Sequence, residues 1–174
     1  MRMTWTVPPV TRTREPNAAG ERATLDGLLD WHRSTFWWKC EGLTGEQLAR
    51  RPVPPSSLSL LGLARHLTDT ERAWFRRRAG GQALPSVYAT AGRPDAAFED
   101  AEAATAEAGM AALRAEQELC RRAVAGVPLD TTFEHELWGP LSVRWVYNHM
   151  IAEYARHLGH ADLLRESIDG VAGE

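Results

Sequence analysis

Two cysteines in 174 residues are too few for a disulfide scaffold, and Cys40 and Cys120 lack the close pairing of a thiolate zinc site. Cys120 falls on a helical core stripe, which reads as a buried, reduced thiol. Long apolar runs are missing too: none approaches the roughly 20 residues of a membrane span. The N-terminus lacks the basic-then-apolar layout of a signal peptide, so the expected location is cytoplasmic. Neither sign of charge dominates, with 20 Lys and Arg against 23 Asp and Glu. A net charge of −3 and no basic tail leave nucleic acid little to hold. Lysine is almost absent: Lys39 stands against nineteen arginines, a skew that a GC-rich genome explains most simply. The clusters Arg50-Arg51, Arg76-Arg77-Arg78 and Arg121-Arg122 each fall near the end of a helical segment, where positive charge complements the helix dipole and stays solvated.

What is present is helical periodicity. At 44% hydrophobic and 25% charged, the chain has the composition of one soluble domain with a substantial core. Residues 1–20, rich in proline and without a period, read as an arm with Trp5 as its obvious anchor. From Glu21, the face Leu25, Leu28, Leu29, His32 and Phe36 predicts a first helix ending near Cys40-Glu41-Gly42. Thr44 fits as the N-cap of a short helix. A second long helix is expected from about Ser57 to Ala79, with the stripe Leu60, Leu63, Leu67, Thr70, Trp74 and a stop at Gly80-Gly81. A third, from about Phe98 to Val124, carries the seam Ala106, Met110, Leu113, Gln117, Cys120, Val124. After a connector over residues 129–141 with room for a short extended piece, Ser142 caps a fourth helix running to about Glu166. No convincing strand runs appear. The expectation is an all-α four-helix bundle over residues 21–170 with long connections and a tail at 171–174.

Chemistry concentrates on the last helix. Glu153 and His157 are four residues apart, so they point the same way one turn apart. Their stripe is otherwise apolar (Val146, Met150, Ala161, Leu164). An ionised carboxylate facing inward needs a partner or a metal. His66, on the edge of the second helix's stripe, makes a third ligand on a facing helix. Imidazole and carboxylate together suit zinc, nickel or iron, and three protein ligands leave room for an exogenous one. The alternative is that Glu153 pairs with a buried arginine and His66 is a satisfied core histidine. Trp37, Trp38, Trp74, Trp138 and Trp145 read as bundle core or dimer contact more readily than as a substrate platform.

The run Gly62-Leu-Ala-Arg-His66-Leu-Thr-Asp-Thr-Glu71-Arg-Ala-Trp74, followed by Trp145-Val-Tyr-Asn-His149-Met-Ile-Ala-Glu153-Tyr-Ala-Arg-His157-Leu-Gly-His160, resembles the DinB-like superfamily, and within it the actinobacterial mini-circle protein branch. The likeness covers about Glu21 to Gly170. It implies a DinB-like four-helix bundle with a divalent metal held by His66, Glu153 and His157. Many members carry histidine at both positions of the last helix, in the pattern H-x-x-x-H-R-G-Q. Glu153 in the first of them is similar to the mycothiol-dependent metalloenzymes of the superfamily. The resemblance further implies a mycothiol- or bacillithiol-type S-transferase or isomerase, with a metal-bound thiolate attacking a small electrophile. It implies zinc first, with nickel or iron as substitutes, a low-molecular-weight thiol as cosubstrate, and a homodimer. His149, His160, His32 and Arg144 are the candidates for lining the pocket and holding that cosubstrate. Two other readings stand beside it: a metal-dependent hydrolase using activated water, and a stress protein that binds metal or a small ligand without chemistry.

Overall fold

Helix α1 (Glu21–Cys40) buries Leu29, His32, Phe36, Trp37 and Cys40, which continues the expected stripe to the last turn. It belongs to a computed structural model that describes residues 4–173; Met1–Met3 of the expected arm and Glu174 of the tail lie outside the described residues. Along the rest of the arm, Val7 is buried and exchanges backbone bonds with Leu43 and Gly42, while Trp5 is half-buried against the core. Thr44 caps the short α2 (Gly45–Ala49) with a reciprocal bond to Gln47, a capping box.

The second long helix has two parts. It starts later than about Ser57: Ser59 caps α3 (Leu60–Glu71), and the chain then winds on as a π-helix over Arg72–Ala79. The third long helix starts at the first residue of its seam, Ala106, rather than near Phe98. Phe98 belongs to a separate one-turn helix, α4 (Ala96–Glu99), and a 3-10 turn at Ala103–Thr105 leads into α5 (Ala106–Val124). The connector after α5 holds more than one short extended piece, a full hairpin: β1 (Thr132–His135) pairs antiparallel with β2 (Gly139–Ser142), Phe133 opposite Leu141. Gly139, in the left-handed region, closes its turn. Ser142 accepts a bond from the Trp145 amide and starts α6 (Val143–Asp169), which ends at left-handed Gly170.

The four long helices form an all-α bundle. Tyr147 meets Asp26 and Arg165 meets the Lys39 carbonyl, in the same order along both helices, so α1 and α6 are parallel. His66 meets Glu153 and Phe75 meets Tyr147, in opposite order, so α3 runs antiparallel to α6. Arg65 lies near Gly109 and Arg76 bonds Glu116, which makes α5 parallel to α3. The order is therefore up-down-down-up. Two parallel consecutive helices require the chain to return the length of the bundle, and residues 80–105 do so. That return lays α4 against the start of α3, where Gly62 has no side chain to obstruct Phe98.

At the centre lies a buried polar chain. Arg33 donates two bonds to Glu71 at 2.7 Å, Tyr154 donates to Glu71, Gln117 to Tyr154, and Trp37 to Gln117. Burial alone would weaken the charge on Arg33; the Glu71 carboxylate outweighs it and raises its pKa. Both cysteines are free and buried, and desolvation pushes the Cys40 thiol up to about 12.

Candidate metal centre

His66 on α3 faces Glu153 and His157 on α6 across the antiparallel contact. Glu153 Oε1 stands 3.1 Å from Nε2 of each histidine, and the three ligand atoms lie within 4.8 Å of one another. Donors sharing one tetrahedral zinc at ordinary bond lengths stand about 3.3 Å apart. A carboxylate only accepts, so each Nε2 carries the proton in these bonds. A cation replaces two such protons without moving the donors far. The residues fit a metal.

The carboxylate is prepared for that charge. Bonds from His157, then from His66, hold the Glu153 carboxyl far below its usual range, against the opposing effect of burial. The arginine alternative finds little support here, since Arg156 approaches only to 3.8 Å and is mostly exposed. The buried arginine–glutamate pair instead joins Arg33 to Glu71, five residues beyond His66 in the chain. Thr70 Oγ1 stands 3.4 Å from His66 Nε2 while donating to the His66 carbonyl. Phe98 stacks on the His66 ring at 5.3 Å.

The four pocket candidates separate. His160 Nδ1 stands 3.2 Å from His157 Nδ1, where it can fix the orientation of that ligand through its second nitrogen. His149, one turn before Glu153, stacks on Trp145 at 4.8 Å and meets Trp74 at 4.6 Å. Burial lowers the pKa of both and nearby positive charge adds to it, while the Glu153 carboxylate works the other way. His32 instead bonds its Nδ1 to the Leu28 carbonyl of its own helix and meets Trp31 edge-on. Arg144 is held by Glu21 and Asp130 at the start of α6, nine residues and about 13 Å of helix from Glu153.

Two features escaped sequence reasoning. Phe98 reaches His66 from a loop-bound turn that no periodicity marks. His135, from the hairpin, stacks with Trp138 at 4.7 Å and Trp74 at 5.6 Å. With Trp145 and His149 these rings form one continuous aromatic surface that begins one turn from Glu153. Beside it opens a cleft of about 660 Å³ between the π-helical end of α3 and the hairpin.

Comparison with curated proteins and with solved structures found no match. A family model does match, over residues 24–170, and its description is Mycothiol-S-transferase. That span takes in the four long helices except the first three residues of α1, the hairpin and every residue of the His66–Glu153–His157 cluster. The chain belongs to the mycothiol S-transferase family, within the DinB-like proteins.

Proposed function

We propose that this protein is a divalent-metal-dependent S-transferase that joins a low-molecular-weight thiol of the mycothiol type to a small electrophile. The observation that carries the reading is the convergence of His66, Glu153 and His157 on one point, in a chain of this family. Two imidazoles and a carboxylate suit zinc, with nickel or iron as substitutes. Bound there, the ion would supply the acidity that makes a thiol reactive near neutral pH.

The chain's own residues do the rest. Glu153 brings one negative charge to the site and so limits how strongly it attracts further anions. His160 orients His157, and Phe98 shields one face of His66. His149 is biased toward neutral imidazole by burial and stands on the same face of α6 as Glu153, so it is a base able to take the thiol proton. In the net reaction a sulfur–carbon bond forms, and either the thiol proton is added to the electrophile or the electrophile's leaving group departs with that proton.

Elemental analysis of purified protein should find about one divalent ion per chain, consistent with a single three-ligand site. His66→Ala and His157→Ala should each lose it, together with metal-dependent conjugation of mycothiol to monochlorobimane. An ion retained in both variants overturns the assignment. Turnover by the metal-loaded protein without any thiol would point to hydrolysis instead.

A further inference from the structure

The rings beside the metal centre form a column with a direction. Trp145 and His149, one turn apart on α6, stack nearly parallel, with 9° between their planes and 4.8 Å between centroids. A planar side chain stacked on the neighbour one turn before it presents its other face one turn ahead. For His149 that is the level of Glu153, about 6 Å further along the helix. Trp74 leans against the same imidazole at 4.6 Å and 57°, which fixes its tilt. From a second element, α4, Phe98 lies over His66 at 5.3 Å. At the far end of the column Trp138, parallel to Trp74 at 5.8 Å, keeps 54% of its surface in solvent, so the aromatic surface is open to an incoming molecule.

Such surroundings select by shape. An aromatic ligand gains stacking there beyond the area it buries, whereas an aliphatic one gains the area alone. A ring stacked on the free face of His149, at the roughly 4.5–7 Å centroid spacing of aromatic pairs, reaches the level of Glu153, so a carbon at its edge stands beside a sulfur at the cluster. We propose that the electrophile is a flat aromatic molecule, stacked on His149 as the next ring after Trp145, with its reacting carbon beside His66, Glu153 and His157. The proposal names the second substrate of the S-transferase reading and rests on that reading. With a ring-borne halide, the sulfur–carbon bond forms as the carbon–halogen bond breaks. Halide leaves with that bond's electron pair, and the thiol proton passes to His149 and then to water.

The test separates binding from chemistry. The binding probe is the bimane without its chlorine, which cannot react, titrated by calorimetry into protein with and without zinc. Wild type should bind it saturably, and His149→Phe, which keeps a ring, should bind within about twofold of wild type. His149→Leu and Trp145→Leu should each bind about tenfold more weakly. In the metal-loaded protein with mycothiol, the ratio of kcat/KM for monochlorobimane to that for iodoacetamide should fall by about the same factor in Trp145→Leu and hold in Trp145→Phe. No saturable binding at millimolar probe overturns the proposal. So does equal affinity in wild type and both leucine variants, or a His149→Phe variant that binds as weakly as His149→Leu. A wild type that binds the probe but conjugates no thiol refutes the S-transferase reading alone.

Discussion

At the scale of single residues, the core is most sensitive at Glu71. Its carboxylate is fully buried and accepts from Arg33 and Tyr154, so its removal leaves a guanidinium in the interior with Asp30 as its remaining charged partner among the described residues. Glu71→Ala should cost about 3–5 kcal/mol in urea unfolding. Replacing both partners by apolar residues, Arg33→Met with Glu71→Leu, should restore most of that loss. A single variant within about 0.5 kcal/mol of wild type would show the pair to be dispensable. In the sequence, Glu71 was one more acidic residue on a helix. Only the approach of α1 reveals its partner, because Arg33 lies 38 residues away.

At the scale of elements, α6 carries the chemistry and its start decides its register against α3. Ser142 ends the hairpin opposite Thr132 and caps the helix through the Trp145 amide. Ser142→Ala should destabilise the fold by about 1 kcal/mol by denaturant midpoint, the usual loss for such a cap. An unchanged midpoint would mean that packing alone holds the first turn. The π-helical end of α3 matters differently. Its wider winding aims Trp74 and Phe75 at α6 while Arg72 and Arg76 reach Glu116 on α5. The stripe predicted an inward Trp74, and the structure buries it. The π winding itself has no periodic signature, since it depends on which neighbours the helix must satisfy at once.

At the scale of the whole molecule, the site is a junction between elements far apart in sequence, so the ion and the fold are linked. Ligand binding to the native state alone raises apparent stability. Zinc should therefore raise the melting temperature, chelator should reverse the gain, and the gain should shrink as pH falls through the histidine range, because imidazole ligands must give up protons. A zinc shift of equal size in His157→Ala would sink this linkage. In the metal-free protein Glu153 contributes to the acid limb. The folded Glu153 pKa lies below its ordinary value of 4.5, so its stabilising contribution is complete above that pH and is lost as pH drops toward the folded value. Among the described residues, no helix is long and apolar enough to cross a membrane.

The sequence by itself determined the helical class, the inward faces of the four long segments, and the candidate ligands His66, Glu153 and His157. These follow from local spacing: a 3.6-residue period shows which side chains share a face whatever the tertiary arrangement. Only the tertiary structure decided the up-down-down-up order, the seat of Phe98 on His66, the buried Arg33–Glu71 pair and the meeting of hairpin and helix rings around Trp74. Each of those joins residues 32 or more apart in the chain, and a contact at that range is set by where whole elements pack, which no local pattern encodes.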